Sequence, residues 1–193
     1  MPHGEEMKRN RIVVVGIVSL IAVLTIVLLF MKYGSNGGNA VSQNITAGSM
    51  APDYGFHLAN GSYTNLSAYK GHVVVLWFVA TWCPSCAQGN EAINQNYQFF
   101  ERHGIKVIEL ELYNDLGYNG PPIASFVNSY APSAYSNDTI IPALAGYNMT
   151  AAYDPKGYLD IYYLISGNGT VLYINGSPAS TLGQLDEAVN SSL

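Results

Sequence analysis

The chain has 193 residues, 49% hydrophobic and 11% charged, with eight Lys and Arg against 13 Asp and Glu. That sparse, acidic balance argues against nucleic acid as a partner, which needs clustered cations, and gives no electrostatic preference for an acidic substrate. Two cysteines leave no second pair for a four-ligand zinc knuckle, and His3, His57, His72 and His103 lack the histidine spacing that would replace it.

Residues 1–11 are polar and end in Lys8-Arg9-Asn10-Arg11, which reads as a short cytoplasmic tail. Ile12 to Met31 follows without a charge, 20 residues long, which is the length of a membrane-spanning helix. A cleaved signal peptide has a shorter apolar core and a small-residue cleavage site close behind it, whereas Lys32-Tyr33-Gly34 follows here, so an uncleaved single-pass anchor is expected. Three basic residues precede the helix and Lys32 alone directly follows it, which places the N-terminus in the cytoplasm and the body of the protein outside the cell membrane. Residues 32–48, with Gly34-Ser35-Asn36-Gly37-Gly38-Asn39, form a flexible linker. Sequons at Asn44, Asn60, Asn65, Asn137, Asn148, Asn168, Asn175 and Asn190 all lie beyond the membrane segment and suggest a glycosylated outer surface.

Residues 49–193 make one domain long enough for a real core. Asn60-Gly61 marks a hairpin turn between short extended pieces of 53–70. Val73 to Ala80 is an almost unbroken apolar run, the pattern of a strand covered on both faces. A helix is expected from Cys83 or Pro84 to about His103, with Gly104 at its C-cap. Ile105 to Leu112 alternates as a second central strand; helices are expected at 123–130 and within 140–153. Gly167-Asn168-Gly169 joins strands at 160–165 and 171–174, and a helix over 181–190 closes the chain. This order gives an α/β fold with a mixed central sheet and helices on both sides. The Tyr-, Pro-, Ser- and Asn-rich stretch 113–156 is expected to cover the sheet, with a partner groove beside the cysteines as the alternative.

The chemistry lies in Trp82-Cys83-Pro84-Ser85-Cys86, directly after the first central strand. Cys83 falls at a helix N-terminus, where unpaired amides and the helix dipole favour a thiolate, the nucleophile of disulfide exchange. A purely structural bridge across so short a loop would constrain the unfolded chain little. Pro84 suits the first helical turn, where its missing amide loses nothing. Trp82 is placed to cover the sulfurs and guide partners, or equally to pack as a structural aromatic.

Several blocks resemble the thioredoxin fold and, more closely, membrane-anchored extracytoplasmic thioredoxins of the TlpA/ResA redoxin type. These are Ala51-Pro52-Asp53-Tyr54, the stretch Leu66 to Leu76, Ala80-Thr81-Trp82-Cys83-Pro84-Ser85-Cys86, and Tyr163 to Val171. The resemblance implies a thioredoxin-like three-layer α/β/α domain, with Cys83 as attacking nucleophile and Cys86 as resolving thiol. The helix position agrees, since Cys83 is nearer the exposed start and Cys86 lies one turn in. Where that type has a cis-proline loop before the hairpin, this chain has Gly157-Tyr158-Leu159-Asp160-Ile161. Either Pro155 serves through a shifted loop, or Leu159 or Asp160 takes the substrate-loop position. Trp77 stands six residues before Cys83, where thioredoxins often bury an acid, and Gly89 replaces the family's glutamate after the second cysteine, with Glu91 two later. Glu109 and Glu111 share one face of the second strand, opposite Ile108, Leu110 and Leu112. Carboxylates there are either a proton acceptor for the resolving thiol or the edge of a face that opens to solvent.

The leading expectation is therefore a membrane-tethered thiol–disulfide oxidoreductase needing no cofactor. The resemblance implies protein thiols and disulfides outside the membrane as partners, apocytochrome c thiols or other secreted cysteines among them, and a reducing role implies a membrane electron donor. The alternative is a copper-binding chaperone resembling the Sco proteins, since soft thiolates suit Cu(I). Sco-like proteins use C-x-x-x-C and a histidine before the hairpin, whereas this chain has C-x-x-C and Tyr158 or Leu159 there. A peroxiredoxin shares the opening strands but places its cysteine at a different spacing.

Overall fold

Six consecutive residues, Val74–Val79 (β3), are buried on both sides and form the middle of the domain in a computed structural model that describes residues 45–192. Such a run needs a layer above and a layer below, and the chain supplies both. β1 (Gly55–Leu58) and β2 (Tyr63–Asn65) are the hairpin expected around Asn60-Gly61, with Gly61 at φ +86° supplying the left-handed turn residue. β4 (Lys106–Glu111), β5 (Ile140–Ala145), β6 (Ile161–Ile165) and β7 (Val171–Gly176) complete a seven-stranded sheet in the order β2-β1-β5-β4-β3-β6-β7. β3, β4 and β5 run parallel; the outer pairings are antiparallel, so the sheet is mixed as expected.

One face packs against α1 (Pro84–Arg102), α2 (Ile123–Tyr130), the short α3 (Pro132–Ser136) and α5 (Pro178–Asn190) through Ile93, Phe100, Phe126, Val127, Leu185 and Val189. The other face is covered by α4 (Tyr147–Tyr153) and the 3-10 turn Leu66–Tyr69, around Phe56, Phe78, Met149 and Tyr153. This is the three-layer architecture implied by the resemblance.

The reading of 140–153 as helical needs correction. Its first half is the strand β5, and only 147–153 is helix. Pro142 lies inside β5 and disguises it, because proline removes a ladder donor. The Pro142 carbonyl accepts from Ala59 N at 2.9 Å on the β1 side, so the missing donor falls beyond the β1 ladder, whose last pair is Leu58 with Ala143. Residues 45–48, placed in the linker by the sequence, already join the domain: Gly48 N donates to Val171 O at 2.8 Å and Ile45 packs on the core. Among the described residues no helix is long and apolar enough to cross a bilayer. The segment read as membrane-spanning, residues 12–31, lies outside them, as do the tail and residues 32–44 of the linker.

Candidate active site

β3 ends at Val79 and delivers the chain through Ala80, Thr81 and Trp82 to Cys83, which is the N-cap of α1. Cys83 has extended backbone, and its Sγ accepts the Cys86 N–H at 3.4 Å, the place a serine or aspartate oxygen fills in other helices. Pro84 takes the first helical position. A sulfur that receives a helix amide is electrostatically suited to negative charge. The Ser85 hydroxyl adds a second contact to Cys83 Sγ at 3.1 Å. Both cysteines are free thiols; Cys83 is 3% exposed and Cys86 is fully covered. Burial pushes the Cys86 thiol far up from its ordinary range; its hydrogen bond with Cys83 and the negative charge of Asp160 push the same way.

Trp82 is half-buried and fixed at both ends. Its Nε1 donates to Asp115 O at 2.8 Å and its ring lies 4.8 Å from that of Tyr118. The Asp115 carboxylate in turn accepts from Thr81 N at 2.9 Å and Thr81 Oγ1 at 2.8 Å. Asp115 sits in a left-handed turn of three consecutive non-glycine residues, Asn114, Asp115 and Leu116, with φ of 53°, 47° and 57°. Such residues cost about 1–3 kcal/mol each and persist only where neighbours over-determine them. Here the neighbours are the two residues that precede Cys83. This stretch is thus more than sheet covering: Asn114, Asp115 and residues 118–124, with Thr81, Glu111 and Leu144, line an open groove of about 410 Å³ beside Trp82.

The two strand carboxylates separate in environment. Glu109 is fully buried, and burial lifts it to about 8. Its Oε1 accepts from Asn90 Nδ2 at 2.8 Å, and the same nitrogen donates to Cys86 O at 3.2 Å, so Glu109 connects to the Cys86 backbone. Glu111 is half-buried on the groove beside Asp115, with burial and that neighbour raising it to about 7. Of the pair, Glu109 is the one tied to the Cys86 turn.

The loop ahead of β6 shows which residue approaches the sulfurs. Pro155 is exposed in a cavity with Tyr153, Ile161 and Ile174, on the α4 side. Asp160 instead is buried, donates its N–H to Phe78 O at 3.0 Å and accepts Trp77 Nε1 on Oδ1 at 2.8 Å. Its carbonyl accepts from Ser177 N at 2.8 Å, so its backbone groups are already paired; Leu159 stays half-buried beside it. Sequence reasoning missed Asp115, Asn90 and Ser85. Ser85 and Asn90 had a legible signal, lying two residues after Cys83 and one helical turn after Cys86. Asp115 had none, because its partners come from 34 residues away.

The AhpC/TSA family profile matches residues 47–171, well over half of the chain. The chain belongs to the AhpC/TSA family. Within it, the chain is similar to the thiol-disulfide oxidoreductase ResA of Bacillus subtilis, 28% identical over 108 residues, which are 54% of this chain and 58% of that relative. The match therefore spans less than two thirds of the relative's length. Among solved structures it is similar to a candidate DsbE thiol:disulfide interchange protein from Chlorobium tepidum, 25% identical, TM-score 0.57, covering 76% of this chain and 99% of that one. A candidate protein disulfide isomerase from Bacteroides thetaiotaomicron shares the fold at 22% identity and TM-score 0.59, covering 78% and 91%. Membership agrees with the redoxin resemblance carried by 51–76 and the cysteine motif.

Proposed function

We propose that this protein is an extracytoplasmic thiol–disulfide oxidoreductase, tethered by residues 12–31, that exchanges disulfides with protein partners through Cys83 and Cys86. The observation that carries the reading is the N-cap arrangement, a Cys83 sulfur receiving a helix amide with a second, deeper thiol one turn away. Cys83 thiolate attacks a partner disulfide; one partner sulfur leaves as thiolate and a Cys83–partner disulfide forms. Cys86 then attacks Cys83 Sγ, releasing the second partner thiol and leaving the Cys83–Cys86 disulfide. Two electrons pass to the partner, and the steps run backwards when the partner is to be oxidised. Trp82 and the groove lined by Asn114, Asp115 and residues 118–124 form the surface next to the exchanging sulfur.

Similarity to ResA favours this reading over copper handling. The test is equilibration of the full chain with glutathione buffers of graded ratio, followed by thiol trapping. A single dithiol–disulfide transition is expected. A potential near about −250 mV or below marks a reductant fed by a membrane donor, and one near about −120 to −180 mV an oxidant or isomerase. A chain that never cycles between the two states sinks the proposal.

A further inference from the structure

Two buried carboxylates bear on the Cys86 turn, Asp160 through its charge and Glu109 through Asn90, and each has an oxygen with no hydrogen-bond partner, Asp160 Oδ2 and Glu109 Oε2. An unpartnered buried acceptor costs about 1–3 kcal/mol, so its presence calls for a reason. The surroundings of Asp160 supply one. Gly89 is three residues after Cys86, on the same side of α1, and a Cβ built there would stand 3.5 Å from Asp160 Oδ1 and 2.6 Å from Trp77 Cζ2. The missing side chain at 89 is what admits the Trp77 ring, and the Trp77 N–H is what holds Asp160. Ser85, which touches Cys83 Sγ, also favours the Asp160 anion. Residues 85 and 89 thus bracket the carboxylate on the turn that carries Cys86.

Glu109 is less suited to the same task. It is tied through Asn90 to the Cys86 carbonyl, not the sulfur, and at about 8 it already holds its proton near neutrality. Asp160 is also raised by burial, but the Trp77 N–H on its Oδ1 favours the charged form. The groups facing it are Ser85 and Cys86 on α1, Trp77 on β3, Glu109 on β4, Tyr162 on β6 and Ser177 before α5; none is a cation.

We propose that Asp160 takes the proton of Cys86 as that sulfur attacks the mixed disulfide, with Trp77 as its positioning residue. This rests on the oxidoreductase reading above. The Cys86 S–H bond breaks and its proton passes to the Asp160 carboxylate. The Cys86–Cys83 disulfide forms, the Cys83–partner bond breaks, and its electron pair leaves with the partner sulfur. Protonated Asp160 returns the proton when the internal disulfide is opened again. A loop that would otherwise only border the site thereby becomes part of the proton path.

The test uses the reduced full chain and one equivalent of an aromatic disulfide whose released thiol is coloured. The first release reports attack by Cys83, and the second reports attack by Cys86 on the Cys83 adduct. Asp160→Asn is expected to slow the second release by about a hundredfold near pH 6, the deficit shrinking as pH rises and solvent base takes over. Trp77→Phe, which keeps a ring and removes the N–H, should show a smaller deficit with the same pH trend. A deficit in Asp160→Asn that is equal at every pH, or one that appears in Glu109→Gln instead, overturns the assignment. If Asp160→Asn loses cooperative urea unfolding, Trp77→Phe decides alone, and a flat pH profile there overturns the proposal. A parent chain that gives no second release overturns the oxidoreductase reading itself, an outcome distinct from an intact parent with an unaffected Asp160 variant.

Discussion

Gly89 and Glu109 show how tightly the space under the cysteines is filled. A methyl at Gly89 would meet Trp77 Cζ2 at 2.6 Å and Cη2 at 2.9 Å, and Trp77 is fully buried in the central strand. Gly89→Ala should therefore lower stability by about 1–3 kcal/mol, measured by urea denaturation, although alanine is the better helix former. An unchanged midpoint would mean that the Trp77 ring can move aside. For Glu109 the sign follows from burial: the folded protein keeps a proton up to about 8 that the unfolded chain releases near its ordinary 4.5. The folded state then binds more protons between those values, so stability falls as pH rises through that window. Glu109→Gln removes this contribution, and its stability relative to the parent should climb from about pH 4.5 to about pH 8 by up to several kcal/mol, then level off. Denaturation midpoints that stay parallel across the window would show that Glu109 does not titrate in this way. Asp160 and Glu111 are raised in the same direction, so part of the slope survives in the variant.

At the level of elements, legibility followed how local each signal was. β3 and α1 were readable because an unbroken apolar run and a Pro-to-Gly frame carry their own boundaries; Gly104, at φ +64°, does end α1. β5 was not, because Pro142 reads as a breaker and only its position past the end of β1 makes it tolerable. The Asp115 turn was not, since nothing near 114–116 announces a left-handed run. The cysteine pair was legible as chemistry and Glu109 as a strand carboxylate; Asp160 was legible only as a loop position, because it meets Trp77 across 83 residues of sequence. α3 illustrates the same dependence. Its first residues lack a cap of their own, and Asn94 Oδ1 on α1 accepts Ser133 N at 2.8 Å and Ala134 N at 3.0 Å. Asn94→Ala should cost about 1 kcal/mol and show most clearly as faster amide exchange in 132–137. Exchange that is unaltered there would mean water replaces the cap without loss.

For the whole molecule, the sparse charge beyond residue 33, four basic against eleven acidic residues, argues against a polyanion as partner. The proposed anchor makes a direct prediction. Full-length protein should stay with the membrane fraction through alkaline carbonate washing, and a chain lacking residues 1–31 should not. Release of both by the wash would remove the anchor from the account while leaving the thiol chemistry untouched.

The chain contains two tryptophans, and both stand at the cysteines: Trp77 hydrogen-bonds Asp160 below Cys86, and Trp82 directly precedes Cys83. Intrinsic tryptophan emission from this protein therefore originates almost entirely within the exchange site. Thiols, disulfides and protonated carboxyls quench a neighbouring indole to different degrees. The protein thus carries a built-in optical gauge of its own redox and protonation state, readable without a label.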